Sequence, residues 1–140
     1  MGDRFLLDTS AILALTDREE GWETVAALLQ EAAAGQCQVE CCAASLMELY
    51  YITVRERSEE EAALLIATVK SWPVSWIYPD ERLFLLAGRI KALHQLSFAD
   101  ALIAAAAKLH GATLVHKDPE IEALAADLEQ RVLPFKPRRR

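Results

Sequence analysis

The sequence predicts an α/β fold: a three-layer α/β/α sandwich with a mostly parallel sheet of about five strands. Three observations carry this. Short apolar runs at Arg4–Leu7, Gln38–Cys42, Val74–Ile77, Ala112–His116 and Val132–Phe135 alternate with segments whose apolar residues recur at helical spacing. Residues that start and stop helices punctuate those segments. Finally, 140 residues with 53% hydrophobic content are enough to cover both faces of one sheet. A single domain over 1–140 is expected, with its core at about 4–135 and a basic tail at 136–140.

The elements follow in order. After the first strand, Thr9 to Leu15 reads as a short helix. Glu19 to Ala34 is helical through Trp22, Val25, Leu28 and Leu29, with Gly35 as its stop. The strand ending at Cys42 leads into a helix from Ser45 to about Arg57. Ser58-Glu59-Glu60-Glu61 is a capping box opening the next helix, which ends near Trp72-Pro73. Asp80 caps a helix from Glu81 to about Gln95 that buries Leu83, Leu86, Ala87 and Ile90. Ser97 caps an Ala-rich helix from Phe98 to His110, closed by Gly111. Pro119 to Leu128 reads as the last helix. Trp22, Tyr50, Tyr51, Trp72 and Trp76 are assigned chiefly to the core, with a dimer face or partner groove as the other reading.

Composition narrows the function classes. Net charge is −6, so no general attraction to nucleic acid follows, although a bound divalent cation reverses the sign locally. No apolar run reaches the roughly 18 residues needed to cross a bilayer. Met1-Gly2-Asp3-Arg4 enters a strand without a signal-like apolar stretch, so a cytoplasmic protein is expected. Lys136-Pro137-Arg138-Arg139-Arg140 reads as a solvated terminus, with a phosphate-contacting tail as the sharper alternative. Cys37, Cys41 and Cys42 lack the paired spacing of a zinc site and read as core or partly exposed thiols.

Four acids stand out because they lie inside or at the edge of apolar segments. They are Asp8 after Phe5-Leu6-Leu7, Glu48 within Leu46–Ile52, Asp100 ahead of Ala101-Leu102-Ile103, and Asp118 after Leu114-Val115-His116. Taken singly, each has a plain structural explanation. Glu48 is three residues after Ser45 and Asp100 three after Ser97, the spacing of capping boxes in first turns. Asp118 precedes Pro119, and Asp8 precedes a helix. Taken together they mean more. In a parallel α/β sheet, strand ends and helix starts share one edge, so all four can meet in one cleft. Clustered carboxylates raise one another's cost of ionising, and a cation is the remedy. The local runs Asp17-Arg18-Glu19-Glu20 and Glu59-Glu60-Glu61 read instead as solvated faces.

With Asp8-Thr9-Ser10, Glu48, Ser97-Phe98-Ala99-Asp100-Ala101-Leu102-Ile103-Ala104-Ala105 and Leu114-Val115-His116-Lys117-Asp118 in that order, the chain resembles the PIN-domain family. More narrowly, it is similar to the VapC-type toxin ribonucleases of prokaryotic toxin–antitoxin pairs, from about Arg4 to Phe135. The resemblance implies metal-dependent cleavage of RNA with Asp8, Glu48, Asp100 and Asp118 as the acids. It also implies that Thr9 or Ser10 orients a carboxylate or water, that copies pair as homodimers, and that an antitoxin protein holds the chain inactive. Two departures stand out. His116 occupies a position where the family often has Thr or Ser, and Asp118-Pro119-Glu120-Ile121-Glu122 replaces a common Asp-x-Asp-Phe. Glu120 and Glu122 are therefore further ligand candidates, each also readable as a solvated helix residue.

An all-carboxylate oxygen set suits Mg²⁺ or Mn²⁺ and disfavours zinc. Asp8 and Asp100 are expected to hold the metal, with Glu48 and Asp118 completing the site directly or through water. His94, His110 and His116 read as element-end residues. Arg55, Arg57, Arg89, Lys91 and Lys117 are candidate phosphate contacts with solvated surface as the competing reading. A haloacid-type phosphatase requires an acid where Ser10 stands, and a receiver domain requires an acidic pair that is missing. The serious rival is a non-catalytic PIN-like module that binds RNA or protein and keeps a vestigial acidic site.

Overall fold

A computed structural model describes residues 2–124 and 128–134. The sheet is built from β1 (Arg4–Leu7), β2 (Gln38–Cys42), β3 (Ser75–Ile77), β4 (Thr113–His116) and β5 (Gln130–Val132). Every pairing is parallel, and the strand order is β3-β2-β1-β4-β5. The chain therefore moves outward from β1 through β2 and β3, then returns to β1's other side as β4. That reversal makes the carboxyl ends of β1 and β4 the switch point, where such sheets open a crevice.

The period of two along each strand divides the core into two layers. Leu6, Cys42, Ile77 and Leu114 face the layer that includes α5 (Glu81–Leu93) and α6 (Phe98–His110). Leu7, Val39, Cys41 and Val115 face the other, with α1 (Thr9–Thr16), α2 (Trp22–Ala33), α3 (Ala44–Glu56) and α4 (Glu59–Lys70). The alanines of α6 from Ala99 to Ala107 are all buried. Small side chains let this helix lie close to its neighbours, which sets Asp100 in its first turn against the core. The three cysteines are free, buried thiols, and burial pushes Cys41 and Cys42 up in pKa, so they act as packing groups.

Most expected boundaries hold to within two or three residues, and the caps explain why. Ser58 Oγ accepts from Glu61 N, Asp80 from Leu83 N, and Ser97 from Asp100 N. Gly111 closes α6 at φ 61°. Four expectations are corrected. The second helix starts at Trp22 because the chain first turns through Arg18 and Gly21, both at positive φ. The third starts at Ala44 with Ala43 as its cap, so Ser45 caps nothing and Glu48 lies beyond the first turn. The last helix, α7 (Pro119–Glu122), is one turn long. The last strand precedes its expected position, because residues 130–132 pair with β4 although only half-buried or exposed. Tyr50 and Tyr51 are exposed on α3, whereas Trp72 and Trp76 pack against the core. Residues 125–127 of the expected last helix, Phe135 and the basic tail at 136–140 lie outside the described residues.

Gly21 is held both by its backbone, at φ 94°, and by a close approach, since an added Cβ would stand 3.2 Å from Leu133 Cβ and Pro134 Cδ. Gly35, at φ 76°, has open space around it. Gly21→Ala should cost about 1–3 kcal/mol and more than Gly35→Ala. Equal shifts of the two variants in thermal unfolding would show that the contact with Leu133 and Pro134 is immaterial.

Candidate active site

Asp8 is the first residue past β1, and its backbone N–H extends the strand by donating to Val115 O at 2.9 Å. Its side chain then caps α1: Oδ2 accepts from Ser10 N at 3.0 Å and from Ser10 Oγ at 2.5 Å. Asp8 is only 2% exposed, and Oδ1 has no hydrogen-bond partner. Burial raises its pKa, Asp118 adds to the rise, and the Ser10 bonds and His116 oppose it.

Glu48 reaches the same edge from α3. Thr9 Oγ1 donates to its Oε1 at 2.5 Å and lies 2.8 Å from Ser45 Oγ. A hydroxyl has one proton, so with Thr9 donating to Glu48, Ser45 donates to Thr9. The relay Ser45–Thr9–Glu48 thus links α3 to α1. Burial raises Glu48, with Asp8 and Asp118 adding to the rise and the Thr9 bond opposing it.

Asp100 is half-buried in the first turn of α6, where its N–H donates to Ser97 Oγ at 3.1 Å. Its carboxyl is pushed up from 3.8 to about 7, first by burial, then by Asp8, Asp118 and Glu48. Asp118 follows β4. Its N–H donates to His116 Nδ1 at 3.0 Å, and its Oδ1 caps α7 by accepting from Glu120 N at 2.9 Å. His116 is fully buried; with Nδ1 accepting, its ring proton lies on Nε2, 2.8 Å from Gln130 Oε1. It is a connector between β4 and β5.

The four acids therefore sense one another electrostatically, and among the described residues none of them carries an ion pair. Lys117 is close in sequence, but its Nζ turns to Glu20 O at 3.0 Å and Glu19 Oε1 at 3.4 Å. Arg57 pairs with Asp17 and Glu61, and Lys91 donates to Leu96 O. Glu120 and Glu122 are exposed, and neither contributes to the shifts of Asp8, Glu48 or Asp100.

A hydrated divalent cation fits this donor set. The buried, unpartnered Oδ1 of Asp8 offers a lone pair, and among the described residues no ion pair offsets the clustered negative charge. Among the described residues no three acidic, imidazole or thiol groups stand ready to hold an ion together. Mg²⁺ keeps several waters and takes one or two carboxylates directly, so a prearranged three-ligand cage is not required.

Comparison with known proteins identifies the family and the fold. The PIN domain family model matches residues 5–127. The chain belongs to the PIN-domain family. Among solved structures, VapBC2 from Rickettsia felis bound to a promoter DNA fragment aligns with TM-score 0.75 and 17% identity, covering 94% of this chain and 99% of that one. Mycobacterium tuberculosis VapC20, a Sarcin-Ricin loop cleaving toxin, aligns with TM-score 0.69 and 22% identity over 93% and 99%. FitAcB from Neisseria gonorrhoeae aligns with TM-score 0.65 and 22% identity over 90% and 95%. No curated protein sequence matches the chain. At these identities the likeness to solved structures establishes the PIN fold.

Sequence reasoning left Thr9 and Ser10 as alternatives for one orienting role. In this PIN domain each has its own carboxylate, Ser10 for Asp8 and Thr9 for Glu48. The part played by Ser45 was missed, because Ser45-x-x-Glu48 has the spacing of a capping box and nothing in the sequence separates the two.

The raised acids have a thermodynamic sign. A carboxyl whose folded pKa lies above its unfolded value holds more protons when folded, so stability falls as pH rises through that interval. For Asp100 the interval runs from 3.8 to about 7. In metal-free protein, Asp100→Asn should therefore raise the melting temperature at pH 8, and the gain should vanish near pH 4. A gain that is independent of pH would show that Asp100 is not under charge strain.

Proposed function

We propose that this PIN domain is a metal-dependent endoribonuclease that hydrolyses RNA phosphodiester bonds and serves as the toxin of a toxin–antitoxin pair in the cytoplasm. The observation that carries the reading is the buried Asp8 oxygen without a partner, at the switch point of the sheet and within electrostatic reach of three further acids. A PIN fold whose counterparts include a VapBC complex and a toxin that cleaves the Sarcin-Ricin loop supports the same reading. Among the described residues no helix is long and apolar enough to cross a membrane.

Asp8, Glu48, Asp100 and Asp118 are the assigned catalytic and metal-holding residues, and Mg²⁺ or Mn²⁺ the assigned ion. When bound, the ion neutralises phosphate charge, lowers the pKa of water and stabilises the leaving oxygen. The protein's own part is orientation. Ser10 holds one Asp8 oxygen and leaves the other unpartnered, and the Ser45–Thr9 relay aims Glu48. Asp100, held in the first turn of α6 within electrostatic reach of the other three acids, joins Asp8 in holding the ion. Asp118, committed at Oδ1 to its cap, has its other oxygen for water or ion.

The partners follow from the same reading. Exposed Met47, Tyr50, Phe84, Leu85 and Leu93 supply apolar surface for a second copy and for an antitoxin protein.

Asp8→Asn and Asp100→Asn should each reduce RNA cleavage by at least about 100-fold, the scale for losing one group that stabilises transition-state charge. Their far-UV circular dichroism should match that of the parent. Mg²⁺ should raise the melting temperature of the parent and leave Asp8→Asn unchanged. Equal cleavage in chelator and in Mg²⁺ would sink the proposal. Neither ion-dependent stabilisation nor turnover would leave a non-catalytic binding module.

A further inference from the structure

α3 carries a stripe that extends the acidic site. Glu48, Tyr51 and Arg55 recur at spacings of three and four and so line one flank of the helix, while Ser45, Leu49 and Thr53 are buried on another. Tyr51 is 40% exposed, and the Arg55 guanidinium lies over its ring, 5.1 Å from the centroid. Such a pair steadies a helix by itself. Two further observations give it another use.

The first is where the charge goes. Two residues along, Arg57 is tied to Asp17 and Glu61. Among the described residues Arg55 has no carboxylate partner, although the chain has a net charge of −6. It stands as an open cation on an aromatic face. The second is position. At 1.5 Å per residue, Tyr51 stands about 4.5 Å and Arg55 about 10.5 Å along the axis from Glu48. A flat ring and a phosphate-binding group thus begin one turn from a carboxylate of the site.

We propose that Tyr51 and Arg55 form a nucleotide subsite, in which Tyr51 stacks an unpaired base and Arg55 holds the adjoining backbone phosphate. The subsite selects single-stranded RNA, because a base within a duplex has no free face to offer. Stacking also supplies affinity that an acidic protein cannot draw from overall charge. The inference rests on the nuclease reading and assigns Tyr51 and Arg55 as substrate contacts beside that site.

The test uses the full chain carrying Asp100→Asn, with Mg²⁺ and a fluorescein-labelled single-stranded ribo-oligonucleotide read by anisotropy. Adding Tyr51→Ala should raise Kd on the order of 10-fold, and Tyr51→Trp should restore binding. Arg55→Ala should weaken binding and lower the salt slope by about one. The same RNA annealed into a duplex should bind weakly and be indifferent to Tyr51→Ala. Unchanged affinity in Tyr51→Ala, or no RNA binding by the parent, overturns the subsite. Light scattering on each variant supplies the remaining outcome: loss of affinity together with a change from dimer to monomer makes the stripe a protein seam and also overturns it. Cleavage by the unmodified chain is assayed separately. Its absence counts against the nuclease reading, whereas cleavage with unchanged Tyr51→Ala affinity counts against the subsite alone.

Discussion

Asp8 ends the central strand in a place where water does not reach, with one oxygen bound by Ser10 and the other bare. An ionised carboxylate in such surroundings is costly unless a charge or donor meets it. Here the neighbours make matters worse, since Asp118, Glu48 and Asp100 bring the same sign to the same crevice. The resulting strain is local and directed. A positive charge entering at the switch point, such as the proposed divalent cation, would relieve it.

The surrounding architecture holds that strain in place. Asp8 N bonds to Val115 O, which keeps β1 and β4 together up to the last residue before the acids diverge. Ser10 Oγ, which donates to Asp8, accepts from Lys117 N, so the loop after β4 is tied to the same carboxylate. Thr9 links Glu48 to α1, and the small buried residues of α6 seat Asp100 against the core. Hydroxyls are suited to these links because each donates one proton and accepts another bond without adding charge.

The wider surface is organised by pairing of opposite kinds. Arg18 covers Trp22 at 4.2 Å, and Lys70 lies near Trp76 and Tyr78. At the far end of α6, His110 Nδ1 lies 3.1 Å from the buried carboxylate of Glu40, and Arg4 donates to His110 O. The site acids differ from Glu40 in that, among the described residues, no side chain forms an ion pair with them.

The sequence alone determined the parallel α/β class and the caps at Ser58, Asp80 and Ser97, and it marked each of the four acids as a candidate by its apolar neighbours, because all of these are read from residues near one another along the chain. Periodicity shows which face of a helix is apolar, and a cap is recognised within four residues. The tertiary structure decided the rest. Ser45-x-x-Glu48 has the spacing of a capping box, yet Ser45 points to Thr9, because α1 supplies a hydroxyl from 36 residues away. Gln130-Arg131-Val132 lacks a strand's apolar alternation and becomes one because β4 presents a free edge. Tyr50 and Tyr51 stand outside because the helix turns Ser45, Leu49 and Thr53 inward. Strand order, which no local pattern encodes, brought Asp8 and Asp118 to neighbouring strand ends. Burial and mutual repulsion exist only once such distant residues have been brought together.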